Sequence, residues 1–129
     1  MLHINKFFLV TDFGFIVYWL ATALHLIPLE YAYSDYTNPI IVSWNWSFFP
    51  LDMLVSLTGL WSLFQKKRER EQWRFWALCS LIMTFASGFV AISFWIFSHD
   101  FNLTWWIPNL YLVLYPIFFI RKLFSVFKV

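Results

Sequence analysis

Charge and glycine are both scarce in this chain, and each scarcity removes a class of protein. Charged residues make up 12% of the 129, against about 25% in an ordinary soluble domain, which leaves too little polar surface to cover a globule of this size in water. The three glycines provide no glycine-serine linker, and neither an internal repeat nor a low-complexity tract is visible, so residues 1–129 read as one domain. The one cysteine, Cys79, excludes an intramolecular disulfide and reads as a small buried hydrophobe. His25 has no second His, Cys or carboxylate at ligand spacing, so no metal site and no cofactor are implied. The basic residues cluster at segment ends rather than along one face. That placement suits lipid headgroups and assigns no nucleic acid as partner.

What the chain does have is apolar length. Hydrophobic residues reach 61%, gathered into four stretches at about residues 7–29, 40–64, 75–97 and 103–120, each near the roughly 20 residues that cross about 30 Å of hydrocarbon. None of the four contains Lys or Arg. Lys6 precedes the first; Lys66, Lys67, Arg68, Arg70 and Arg74 lie between the second and third; Arg121, Lys122 and Lys128 follow the fourth. Four crossings place all nine on one side, which the positive-inside bias makes the cytoplasm. The opposite connections hold Glu30, Asp35 and Asp100 and no basic residue. The expected fold is therefore all-α: an integral membrane four-helix bundle, antiparallel up-down-up-down, with both termini cytoplasmic and a basic hairpin at 65–74. Ala21-Thr22-Ala23 resembles a signal cleavage site, yet Asp12 interrupts the apolar run and Lys6 stands alone before it, so a retained span is expected.

Aromatic residues make up 25% of the chain. Trp44, Trp46, Trp73, Trp76, Trp105 and Trp106 fall near the ends of the spans, where amphipathic rings form interfacial belts. Pro50, inside the second span, lacks the N–H that would reach the Trp46 carbonyl and should bend the helix close to Asp52. Pro108 and Pro116 interrupt the fourth span in the same manner. Ala77, Ser80, Thr84, Ser87, Gly88 and Ala91 share one face of the third, a seam for close helix packing.

Polar residues inside the spans are the candidates for function. On the second span Asn45, Asp52, Ser56 and Gly59 fall along one line, and on the first Thr11, Gly14, Tyr18, Thr22 and His25 do the same. Two such stripes are expected to face one another, with Asp52 level with Tyr18 and Asn45 level with His25. A charge at the bilayer centre costs about 2.5 to 3.5 kcal/mol on insertion scales. Asp52 is therefore expected to be protonated, hydrated, or paired with His25 or a bound cation. Asp12 lies about 120° from the Tyr18 stripe and is expected to reach the inner interface, pairing with Arg74, Arg121 or Lys122; the functional alternative makes it the cytoplasmic partner of Asp52 in a proton or cation path. The ligand-binding or proton-coupling candidates are thus Asp52, Asp12, Tyr18, His25, Asn45 and Ser56.

No catalytic constellation accompanies them. A hydrolase needs a nucleophile with a base and an orienting group, and Ser56 has no suitably placed His. The one enzymatic version compatible with the sequence is an isomerase-like reaction on an apolar lipid through Asp52. Two readings stand beside it. One is a protein that binds or transports a small cationic or amphipathic ligand around Asp52, for which four spans would call for a homodimer. The other is an accessory or protective protein that docks its helices on a membrane-protein partner, with the polar residues purely structural.

FFLVTDFGFIVYW (Phe7 to Trp19) and DYTNPIIVSWNWSFFPLDMLVSLTGL (Asp35 to Leu60) resemble the YvaD-like family of small, functionally uncharacterised four-helix membrane proteins of Gram-positive bacteria. The most specific pieces are T-D-x-G at Thr11 to Gly14 and W-N-W-S-F-F-P-L-D at Trp44 to Asp52. The resemblance implies a bacterial plasma-membrane location and four spans, and supplies no reaction, ligand or catalytic residue.

Overall fold

A computed structural model describes residues 4–28 and 35–126; Leu29, Glu30 and Lys128, which figure in the readings above, lie outside them. The described residues form helices and no strands: α1 (Ile4–Ala23), α2 (Pro39–Trp46), α3 (Phe48–Lys67), α4 (Trp73–Phe97) and α5 (Leu103–Val126). Taking α2 and α3 as one interrupted element, four helices are long and apolar enough to cross a membrane.

The interruption falls at Ser47, three residues before Pro50. Ser47 N–H donates to the carbonyls of Ser43 and Trp44, and its hydroxyl to that of Ser43. Pro50 thus occupies the first turn of α3, where its missing N–H costs nothing because that turn has no helical acceptor. At the start of α2, Asn38 caps the helix by accepting from the N–H of Ile40 at 3.0 Å, with Pro39 in the first turn. Three chain reversals share one device. His25, Glu69 and His99 each take φ 57°, and in each case the next residue's N–H returns to a carbonyl five back: Leu26 to Ala21, Arg70 to Gln65, Asp100 to Trp95. This left-handed helix stop favours glycine. With only three glycines available, the chain makes it with His and Glu.

Contacts fix an antiparallel ring. Lys66 Nζ donates to Asn5 Oδ1 and Trp19 Nε1 to Asp52 at opposite ends of the α1–α3 pair. Ser62 donates to the Trp73 carbonyl, Ser80 to the Val55 carbonyl and Ser87 to Asp52 along the α3–α4 pair. The expected small-residue seam of α4 is buried and packs within the chain, against α3 through its serines and against α5, where a β-carbon on Gly88 would meet the Asn109 carbonyl and Leu112.

The core is not central. Ile4 and Phe8 of α1, Ala77 and Leu81 of α4, and Tyr115, Phe119 and Leu123 of α5 form one buried cluster, all at the end of the bundle that carries the 68–72 turn. Lys66 and Arg74 sit over the Trp73 ring there, Arg68 over Phe64 and Lys122 over Phe118. The enclosed space of the bundle lies toward the other end, beyond this cluster.

Candidate functional site

In the hollow half, α1, the α2–α3 junction, α4 and α5 surround a cavity of about 460 Å³, within the usual range for small-molecule sites. Trp19, Trp44, Trp95 and Trp105 contribute to its wall, and among the described residues no Lys, Arg or His lines it. The tryptophans are grouped rather than dispersed: Trp44 lies edge-on to Trp95 at 5.4 Å, and Trp95 stacks on Trp105 at 6.2 Å. Rings expected from the sequence to form a headgroup belt therefore also make a pocket.

Asp52 belongs to the cavity lining and is 4% exposed. One carboxylate oxygen accepts from Trp19 Nε1 at 3.0 Å and the other from Ser87 Oγ at 2.9 Å. Both donors are neutral, so geometry is fixed while the charge of an ionised Asp52 remains without a counter-ion. Each carboxylate oxygen keeps a further lone pair for a ligand. Asn45 and Trp105 also line the cavity, and Asn45 Nδ2 and Trp105 Nε1 are buried donors with no hydrogen-bond partner. Nearby, the Thr11 hydroxyl lies 3.0 Å from that of Tyr111, joining α1 to α5 across the cavity edge.

The stripe on α3 meets α1 differently from expectation. Asp52, Ser56 and Gly59 face the line of Asp12 and Trp19, whereas Thr11, Gly14 and Tyr18 turn toward the cavity. Tyr18 is thus a wall residue, one position from the indole that binds Asp52. Ser56 donates to the Asp12 backbone carbonyl at 2.9 Å, tying the helices together at a distance from the cavity lining. His25 is exposed in the turn after α1 and does not line the cavity.

Asp12 departs furthest from its expected place. It does not reach the interface or pair with Arg74, Arg121 or Lys122: it is fully buried, and neither carboxylate oxygen has a hydrogen-bond partner. The cause is Gly59. With no side chain there, α1 comes so close to α3 that the Asp12 carboxyl fills the space a β-carbon would take. Ser87 and Trp19 are the Asp52 partners that the sequence does not mark as such. Ser87 was absorbed into a packing seam, and Trp19 lies seven residues after Asp12 on one helical line, a spacing that marks a shared face but not a hydrogen bond.

A family model described as a family of unknown function, DUF5360, matches residues 4–128. Uncharacterized protein YvaD of Bacillus subtilis (strain 168) is 51% identical over 123 residues, covering 95% of this chain and 92% of the relative. No solved structure matches. The family resemblance read from the sequence is borne out.

Two predictions follow from the buried contacts. Trp19→Phe and Ser87→Ala should each lower stability in detergent by about 1–3 kcal/mol, the range for stranding a buried polar partner; unfolding midpoints check this, and unchanged midpoints would refute the hydrogen bonds. Gly59→Ala should cost about 1–3 kcal/mol through overpacking, and Asp12→Ala in the same chain should recover most of it. Additive effects in that double-mutant cycle would show that the two positions do not touch.

Proposed function

The chain belongs to the DUF5360 family, and on that footing we propose, from the cavity itself, that it is a plasma-membrane protein that binds a small organic cation with Asp52 as counter-charge. One observation carries the reading: a buried carboxylate hydrogen-bonded to two neutral donors borders a tryptophan-walled cavity that, among the described residues, has no basic side chain in its lining. Aromatic faces attract cations, by about 2 kcal/mol or more where water is excluded, and a carboxylate adds direct attraction in a medium of low polarity. The spare donors of Asn45 and Trp105 favour a cation that also carries an acceptor oxygen. An anion would meet Asp52 with nothing to offset the repulsion.

The orientation follows from charge. Lys6, Lys66, Lys67, Arg68, Arg70, Arg74, Arg121 and Lys122 gather at one end, which the positive-inside bias puts in the cytoplasm together with both termini. Asp52 lies fifteen residues before Lys67, roughly 20 Å along the helix from the basic end. The cavity then occupies the outward half of the bilayer. Reporter fusions should be cytoplasmically active in the 68–72 turn and after α5, and exported when inserted at residues 99–101. An exported 68–72 turn would overturn the orientation.

Gly14 gives the sharpest test of the cavity. It lines the wall with open space beyond it, since a β-carbon there meets nothing within 4 Å. Gly14→Leu should obstruct the cavity without disturbing packing, and replacing a mid-helix glycine should favour α1 by up to about 1 kcal/mol. Benzyltrimethylammonium titrated calorimetrically into nanodisc-embedded protein is expected to bind the wild type, to lose at least about tenfold in affinity with Asp52→Asn, equivalent to about 1.4 kcal/mol, and to be blocked by Gly14→Leu at a melting temperature no lower than that of the wild type. Equal binding by all three proteins, or none by the wild type, would sink the proposal.

A further inference from the structure

The bundle is closed tightly on three sides and loosely on the fourth. The α1–α3, α3–α4 and α4–α5 pairs share extended backbone contact, whereas α1 and α5 approach less closely and meet through side chains. Along this α1–α5 seam lie two cavities. The first is the Asp52 cavity; the second, an open surface groove of about 490 Å³, is lined by Phe7, Tyr111, Leu114, Tyr115, Phe118 and Phe119. Its walls carry no charged side chain. Tyr111 lines both, and its hydroxyl contact with Thr11 bridges the seam where they meet. Val10 borders the first cavity while remaining 67% exposed, so that cavity has a side opening onto the apolar flank of the bundle.

We propose that the occupant is an amphipathic cation that enters sideways from the bilayer, its cationic head on Asp52 and its apolar chain passing Tyr111 into the second cavity. This rests on the cation-binding reading given above and adds the chain, the route and the second site. Charge complementarity commits the head to the carboxylate cavity, and the purely apolar and aromatic lining commits the tail to the groove. From Tyr111 to Phe118 the helix rises roughly 10 Å, enough to seat a medium-length alkyl chain. Opening the seam beside the Asp52 cavity parts the Thr11–Tyr111 contact and the stacking of Phe7 on Tyr111 and Tyr115, while the buried cluster of Ile4 and Phe8 with Tyr115, Phe119 and Leu123 keeps α1 and α5 joined beyond it.

The test compares tetramethylammonium with dodecyltrimethylammonium in nanodiscs, on wild type, Asp52→Asn and Leu114→Trp. Leu114 lines the groove and is 62% exposed, so an indole there fills the groove without entering the core. The long-chain cation should bind the wild type at least about tenfold more tightly than the short one, because buried methylenes add apolar contact. Leu114→Trp should remove that gain and leave tetramethylammonium binding unchanged. A gain that survives Leu114→Trp is bilayer partitioning alone and overturns the seam proposal, while the head site stands. Insensitivity of both cations to Asp52→Asn would instead remove the cation-binding reading on which the proposal rests. A dodecyl cation that binds no better than the methyl one places entry at the water-facing end and also overturns it.

Discussion

One carboxylate ties three helices together. Asp52 of α3 accepts from Trp19 of α1 and from Ser87 of α4, and among helices of this apolarity such bonds fix geometry where lipid-like surroundings offer no hydrophobic drive for one helix to prefer another. A leucine in that place would pack but would not dictate rotation. The aspartate does, because its two acceptors must each find a donor, and only one rotational setting of α1 and α4 presents an indole N–H and a hydroxyl together. The same setting sends Thr11, Gly14 and Tyr18 into the cavity. The cavity wall is a geometric consequence of satisfying the acid.

Hydroxyl groups extend the principle along α3. Ser56 bonds the Asp12 carbonyl of α1; Ser62 bonds the Trp73 carbonyl and Ser80 the Val55 carbonyl between α3 and α4. Small side chains let the backbones approach, and the hydroxyls use that proximity to reach a carbonyl on the neighbouring helix. No such bond holds α5 to α1. Their seam relies on stacked rings, on Thr11 with Tyr111, and toward the basic end on the packing of Ile4 and Phe8 against Tyr115, Phe119 and Leu123. Stiffness on three sides and slack on one is therefore written into where serine and glycine occur.

Hydropathy made the four long helices legible because the relevant signal, about 20 apolar residues without Lys or Arg, is local and needs no partner. The polar line of α3 was legible for a similar reason: Asp52, Ser56 and Gly59 share a face by spacing alone, and all three are buried. Which line of α1 they would meet was not. Thr11, Gly14, Tyr18 and Thr22 make the more polar stripe, yet α3 selects Asp12 and Trp19, since contact depends on the shape left by Gly59 and on the reach of one indole. Both are properties of a pair. The fate of Asp12 shows the same limit: its height in the bundle suggested a reach to the basic end, and close approach of two backbones closed that route.

The hollow half is what separates the two functional readings on physical grounds. If the polar residues served only to lock the helices, the bundle would gain by filling the space beside Asp52 as fully as it fills the cluster around Phe8, Leu81 and Phe119, since an unfilled interior forfeits dispersion contacts. The chain instead places Gly14, the smallest residue, at the cavity wall, and lines the space beside the carboxylate with tryptophans and, among the described residues, with no basic side chain. Leaving the carboxylate's charge unmatched in a space large enough for a small molecule makes sense if the missing counter-ion arrives with the ligand.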